Sequence, residues 1–293
     1  MEEQIKAVRN MQDFIDAHLY ENITAADLAK AAGYSSWYAN RLFSYWLKIT
    51  PGEYIRKLRL SKSALRLRDE QIKIIDVAFE VGFNSVDGYQ RAFRREFGCN
   101  PREYAKSPTA LSLFTPYGIL SSKKREEHRM SETRNIFIQV VDKPARKVVI
   151  KRGIKARHYF EYCEEAGCDV WGLLMSMKSI SGEPVCMWLP ERYRKSNTSE
   201  YVQGVEVELD YQGEVPDGFD VIELPSSRYL MFQGEPFAEE DYEEAIEEIW
   251  KAEKKYDLTL LNYAWDMENP RIQLEPIGER GYIELLPVVS LEV

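Results

Sequence analysis

One stretch of this chain occurs twice, and that limits the folds open to it more than anything else does. Gly33 to Phe43 reads GYSSWYANRLF, and Gly82 to Phe93 reads GFNSVDGYQRAF. Each begins with a glycine where a tight turn needs positive φ. Each continues with a serine able to cap a helix and then with apolar residues at helical spacing. The correspondence runs past the stretch itself. Ala29 and Ala78 lie 49 residues apart, as do Gly33 and Gly82. Arg41 and Arg91, Phe43 and Phe93, Pro51 and Pro101, and Tyr54 and Tyr104 lie 50 apart. An internal repeat with one residue added between turn and helix accounts for these matches.

The surroundings make each stretch the turn and second helix of a helix-turn-helix unit. Ile5, Val8, Met11, Phe14, Ile15 and Leu19 mark an opening amphipathic helix. Thr24 is placed to cap a helix over 25–32, with Asp27 as its capping-box partner and Leu28, Ala29 and Ala32 turned inward. Gly33 makes the turn, and Ser35 or Ser36 caps the next helix. That helix turns Tyr38, Leu42 and Phe43 inward and Trp37, Asn40, Arg41 and Ser44 outward. Pro51 then opens a long helix from Glu53 to Arg68. Ile55, Leu58, Ala64 and Leu65 mark its buried side, and Arg56, Lys57, Arg59, Lys62, Arg66 and Arg68 line the rest as phosphate-contact candidates. The second unit has Ile75, Val77, Ala78 and Val81 in its first helix. Its second helix, Ser85 to Phe97, turns Tyr89, Phe93 and Phe97 inward and Val86, Asp87, Gln90, Arg91 and Arg94 outward.

AGYSSWYANRLF, ITPGEYIRKLRL, IIDVAFEVGF and RAFRREFGCNPREYA together resemble the DNA-binding domain of the AraC/XylS family of transcription regulators over nearly its whole length. The resemblance implies seven helices, with two helix-turn-helix units joined by one long helix. It also implies two reading helices in adjacent major grooves of double-stranded DNA, about 10 bp apart. By the same resemblance Trp37, Asn40 and Arg41 face bases or backbone in the first unit, and Val86, Asp87, Gln90 and Arg91 in the second. The capping serines Ser35, Ser36 and Ser85, with Arg94 and Arg95, complete the candidate DNA-binding set. For Trp37 a core role stays open. Val86 offers only an apolar contact, as to a thymine methyl, and Asp87 only accepts, so the first unit is expected to contribute more affinity.

After Pro108 the composition turns to Pro, Gly, Ser and mixed charge. It reads as a linker over 109–132 with a short docked part at Leu113-Phe114. From Ile136 the period becomes that of strands. IFIQVVDKPARKVVIKRG reads as two strands around a Lys-Pro turn. Helices are expected over Tyr159–Met177 and Ala238–Tyr256, with strands after each, in the order β-β-α-β-β twice. YVQGVEVE, VPDGFDVIELPSSRYLMFQG, the helix with EEIW, and GYIELLPV resemble the GyrI-like effector-binding domain over roughly 135–293. The fold class is then an all-α double helix-turn-helix head (1–108), a linker (109–132), and an α+β antiparallel-sheet domain of two pseudo-symmetric repeats (133–293).

This second resemblance implies a lipophilic, often cationic, small-molecule effector held in an aromatic pocket with a buried acid. Glu284 matches the acid of the last strand. Desolvation among aromatics would make it seek a cation. Against this, strand alternation allows Glu284 to face solvent opposite Ile283 and Leu285. Trp188, Tyr229, Trp250, Tyr263 and Trp265 are the candidate walls. PRIQLE has Gln273 where relatives often have Glu, which weakens the case for a dication and leaves neutral ligands possible.

Charge follows the same division. Residues 1–108 hold 17 Lys+Arg against 14 Asp+Glu, a net of +3, and residues 109–293 hold 22 against 34, a net of −12. A mildly basic head suits a polyanion. The cysteines Cys99, Cys163, Cys168 and Cys186 form no C-x-x-C pair and have no zinc-finger histidine, so free thiols in a reduced compartment are expected. The N-terminus does not read as a signal peptide, and no apolar run reaches the ~18 residues of a membrane span. A cytoplasmic location follows by elimination. Three histidines, and no HExxH, G-x-S-x-G or phosphate-binding loop, leave no catalytic, metal or cofactor site to name. The expected function is a ligand-responsive transcription regulator, with RNA polymerase as a further possible partner and no membrane. Two other readings stay open for the C-terminal half: it binds a protein partner, or it hydrolyses its ligand.

Overall fold

The computed structural model describes residues 2–116, 135–167, 169–238 and 241–291. The chain divides into two compact units, Met1–Arg125 and Glu126–Val293.

Among the described residues the regular elements of the first unit are helices: α1 (Glu2–Ala17), α2 (Ala25–Ala32), α3 (Ser36–Leu47), α4 (Pro51–Asp69), α5 (Ile74–Glu80), α6 (Val86–Phe97) and α7 (Pro101–Lys106). The caps explain the boundaries. Thr24 Oγ1 accepts from the Asp27 amide at 3.3 Å, and Asp27 Oδ2 accepts from the Thr24 amide at 2.8 Å, closing a capping box on α2. Gly33, at φ 70°, ends α2. Ser35, not Ser36, then caps α3, its hydroxyl accepting from the Tyr38 amide at 3.3 Å. Fifty residues on, Ser85 caps α6 by accepting from the Gly88 amide at 3.1 Å. Thr50 and Asn100 likewise cap α4 and α7, each with proline in the first turn.

α4 serves two cores at once. Tyr54, Ile55 and Leu58 join Val8, Met11, Ile15, Leu42 and Phe43. Leu60, Ala64 and Leu67 join Val77, Tyr89, Phe93 and Tyr104. A helix packed on two sides cannot show one apolar stripe. The stripe read from the sequence was accordingly too narrow: Leu60, Ser61, Ser63 and Leu67 are also buried, and Leu65 is only half-buried. The two serines have local partners. Ser63 accepts from Tyr89 OH at 3.0 Å, and Ser61 accepts from the Phe114 amide at 2.7 Å. Leu111 and Leu113 sit in the second core, and Phe114 packs on the first, so residues 111–114 dock on the helices. The expected linker from 117 to 132 lies outside the described residues.

The second unit is built on a nine-stranded antiparallel sheet. Its elements are β1 (Phe137–Lys143), β2 (Arg146–Arg152), α8 (Tyr159–Ala166), α9 (Asp169–Ser176), β3 (Val185–Trp188), β4 (Tyr201–Val207), β5 (Asp220–Leu224), β6 (Ser227–Gln233), α10 (Tyr242–Lys255), β7 (Tyr263–Trp265), β8 (Arg271–Gln273) and β9 (Ile283–Ser290). The single helix expected over 159–177 is two helices. Gly167, at φ 88°, turns the chain between them. β7, which pairs with β9, adds a strand to the expected series. The two strands expected around the Lys-Pro turn both form, but they pair with other strands: β1 with β6, and β2 with β4 and β5.

β3 and β8 pair at the middle, with Cys186 opposite Gln273, Met187 opposite Ile272 and Trp188 opposite Arg271. Outward from β3 run β4, β2 and β5; outward from β8 run β9, β6 and β1. Directly paired residues share a sheet face. Register therefore lays Gln203, Cys186, Gln273, Glu284 and Phe232 in one row across β4, β3, β8, β9 and β6. The opposite face carries Val185, Met187, Val202, Ile272, Ile283 and Leu285, all buried. Both faces of the central strands are thus covered.

Candidate functional site

The head presents two helix faces. On α3, Ala39, Leu42 and Phe43 point into the core, while Ser35, Ser36, Trp37, Asn40 and Arg41 are exposed. Tyr38, expected inside, is half-buried. Trp37 is 69% exposed, which rules out a core role within this unit. The Arg41 guanidinium lies 5.4 Å from the Trp37 ring centroid, one helical turn away. The pair forms a flat cationic surface at the start of α3.

On α6, Tyr89, Ala92 and Phe93 are buried, and Ser85, Asp87, Arg91, Arg94 and Arg95 are exposed. Gln90 is half-buried. Val86 is half-buried against the second core, so its methyls serve packing as well as the outer surface. The three arginines outweigh Asp87, and α6 offers net positive charge.

The cations of α4 are mostly engaged within the head, contrary to their reading as phosphate contacts. Arg59 Nε donates to Leu19 O at 2.7 Å and its Nη2 to Glu21 O at 2.5 Å. Arg66 pairs with Glu70 and Glu80, Arg68 with Asp69, Lys57 with Glu96 and Arg56 with Glu53. Lys62 is exposed. Sequence shows the cations but not the acids that other helices bring to them.

In the sheet unit, Glu284 is fully buried, so both faces of β9 are covered at this point and the solvent-facing alternative fails. Its carboxylate accepts from four donors. Trp250 Nε1 reaches Oε1 at 2.8 Å, with Tyr282 OH beside it, and Arg271 reaches Oε2 through Nε at 2.6 Å and through Nη2. Arg271 Nη2 also donates to Glu253 Oε2 at 2.9 Å. The same guanidinium lies 5.0 Å from the Trp188 ring and 6.0 Å from the Trp250 ring. Glu253 is buried, and its Oε1 has no hydrogen-bond partner. Burial, and then the charge of Glu284, push the Glu253 carboxyl far above the usual carboxylate range. Gln273 stands beside Glu284 in register and accepts from Tyr201 OH at 3.0 Å.

Of the expected walls, Trp188 and Trp250 meet at this cluster. Tyr229 does not. It lies three residues from Phe232 along β6 and so points to the other face. There its hydroxyl accepts from Arg146 at 3.3 Å. Tyr263 meets Arg228 on the edge strand β7, and Trp265 is exposed beyond it. The residues missed from the sequence are Arg271, Glu253 and Tyr282. Glu253 had a signal: it follows Ala245 and Ile249 at intervals of four, the buried stripe of α10.

A second buried ion pair was also missed. Arg146 and Glu206 are both fully buried. Arg146 Nε donates to Glu206 Oε1 at 2.5 Å, Lys143 Nζ donates to Oε2 at 2.5 Å, and Arg146 Nη1 donates to Pro144 O at 3.1 Å. Among the described residues no group of three His, Cys, Asp or Glu could hold a metal ion, and no helix is long and apolar enough to cross a membrane. Cys99 and Cys186 are free thiols; Cys168 lies outside the described residues.

Residues 28–107 match the model of a helix-turn-helix domain, and residues 173–285 match that of an integron-associated effector binding protein. The chain is 37% identical over 97 residues to regulatory protein SoxS of Salmonella typhimurium, covering 33% of this chain and 91% of that one. It is 32% identical over 142 residues to right origin-binding protein of Escherichia coli, covering 48% of this chain and 47% of that one, so the match spans about half of that relative's length. Among solved structures, an AraC-type DNA-binding regulator from Chromobacterium violaceum aligns at 25% identity and TM-score 0.33, covering 35% of this chain and 94% of that one. The DNA-binding domain of AdpA, solved with a target DNA, aligns at 23% identity and TM-score 0.33, covering 34% and 91%. The chain belongs to the AraC/XylS family of transcription regulators, with a GyrI-like effector-binding domain following its helix-turn-helix region.

Proposed function

We propose that the chain is a ligand-responsive transcription regulator that binds promoter DNA through both helix-turn-helix units. The observation that carries this is the exposed pair of helix faces, α3 with Trp37, Asn40 and Arg41, and α6 with Asp87, Arg91, Arg94 and Arg95 beside the half-buried Gln90. Each face begins at a serine-capped N-terminus, where backbone amides favour phosphate. Ser35, Ser36 and Ser85 lie at these termini and contact backbone. Arg41 or Asn40 reads base edges, and Val86 keeps at most an apolar contact. The helices enter adjacent major grooves about 10 bp apart on a non-palindromic site. RNA polymerase is the further partner of the bound head.

The sheet unit, in this reading, consists of two pseudo-symmetric repeats. Support comes from the strand order, which runs outward in the same pattern from either side of the β3–β8 pair. The effector is a lipophilic cation drawn to Glu284 between Trp188 and Trp250. No catalytic role is assigned to any residue. Two measurements test the reading. DNA affinity should fall linearly with salt on a log–log scale, and a flat profile would count against phosphate-driven docking. A thermal-shift screen of lipophilic amines and neutral aromatics should give a hit with the amines; hits confined to neutral compounds would contradict a cation site.

A further inference from the structure

The aromatic and acidic cluster of the sheet unit already contains a cation, and it is the chain's own. Arg271 stands in β8 opposite Trp188. Its guanidinium donates to Glu284 and Glu253 and lies within 6.0 Å of both indole rings. The walls do not depend on it. Trp188 is held by its Nε1 donating to Arg157 O at 2.8 Å, and Trp250 by its Nε1 donating to Glu284. Glu284 keeps Tyr282 and Trp250 as donors if the guanidinium leaves. Nor is the guanidinium sealed in: the Arg271 side chain is 32% exposed and Trp250 is 38% exposed. Glu253 Oε1, buried and without a hydrogen-bond partner, is one polar atom that Arg271 does not satisfy.

We propose that Arg271 is a built-in competitor for the effector site, and that the effector class is a flat cation, an amidinium or guanidinium on an aromatic body, that replaces it. The proposal rests on reading this unit as an effector-binding domain. The geometry selects the class. The planar guanidinium puts two donors on Glu284 Oε2, reaches Glu253 with one of them and lies against an aromatic face, which a compact ammonium does less well. An incoming amidinium would donate to these acceptors in place of Arg271 and could add a bond to Glu253 Oε1. Apparent affinity is then the intrinsic affinity multiplied by the fraction of molecules in which Arg271 has swung out. An open state populated at about 10% or less implies that removing Arg271 tightens binding about tenfold or more.

The test uses the full chain and two probes, benzamidinium and its neutral isostere benzamide, by calorimetry and thermal melting. Arg271→Ala and Arg271→Gln should each bind benzamidinium at least about tenfold tighter than wild type. Their melting temperatures should rise with benzamidinium and not with benzamide, and adding Glu284→Gln should abolish the gain. If Arg271→Ala unfolds, refolding that depends on benzamidinium supports the proposal, and refolding indifferent to it overturns it. Folded variants that bind benzamidinium no tighter than wild type, or benzamide equally well, also overturn it. A lipophilic ligand that binds wild type and both variants alike refutes the competitor while the effector-binding reading stands. If no amine, amidinium or neutral aromatic binds any folded form, both readings fall.

Discussion

Gly33 and Gly82 occupy equivalent turns at φ 70° and 79°, yet alanine should cost very different amounts at the two. A Cβ on Gly33 meets nothing within 4 Å. Gly33→Ala therefore pays only for the left-handed backbone, about 1–2 kcal/mol, partly offset by a stiffer unfolded chain, for a net of about 1 kcal/mol. A Cβ on Gly82 would sit 2.6 Å from Arg59 Nη1 and 2.8 Å from its Cζ. That guanidinium is not free to retreat, because it holds Leu19 O and Glu21 O. Each bond from a charged donor contributes about 1.5–3 kcal/mol. Arg59 is only half-buried, so we take the low end. Gly82→Ala should then cost about 4 kcal/mol, about 1 from the backbone and about 3 from the two displaced bonds. Urea denaturation of the chain, followed by helix signal, measures both variants. The double variant Gly82→Ala/Arg59→Met should be markedly less destabilised than the sum of the single changes, because both remove the same bonds. Equal costs at the two glycines, or strict additivity with Arg59→Met, would refute the reasoning. Arg59 also ties the α1–α2 connection to the turn between α5 and α6. Gly82→Ala should therefore loosen DNA binding more than Gly33→Ala does under conditions where both stay folded.

Three other outcomes can be checked. Arg41→Ala should cost about 1–3 kcal/mol of promoter affinity if it reads a guanine, measured by titration at fixed salt; a loss of a few tenths would remove it from the interface. Arg146→Met leaves buried Glu206 with Lys143 alone, so the cost should lie near the low end of about 3–5 kcal/mol, lowering Tm by roughly 6–12 °C. Replacing Glu206 by Leu as well should recover most of that, and no recovery would contradict the stranded-charge argument. Glu253 has a folded pKa raised to about 9, by burial first and by Glu284 second, from an ordinary 4.5. The folded state then holds more protons than the unfolded one across that window. Stability from this group is full below about 4.5 and declines as pH rises toward about 9. Glu253→Gln should flatten the fall of Tm between pH 5 and 9, and an unchanged slope would refute the assignment.

What the amino-acid order determined by itself is the two matched helix pairs, α2–α3 and α5–α6, and the turn within each. Their signals are short-range: a glycine at positive φ, a serine two or three residues later, a proline in the first helical turn. Each acts on its own backbone neighbours, so it can be read without knowing what lies across the fold. Tertiary structure decided which charges remain available. The arginines of α4 read as a basic stripe until Glu70, Glu80 and the Leu19 and Glu21 carbonyls came into contact with them. It also decided the composition of the cluster around Glu284. Glu284 could be named from its strand motif. Arg271, Glu253, Trp250 and Trp188 reach it only because β8 lies between β3 and β9 and α10 crosses that face. A one-residue change of register would have turned Glu284 away, as alternation turned Tyr229 toward Arg146 on the opposite face.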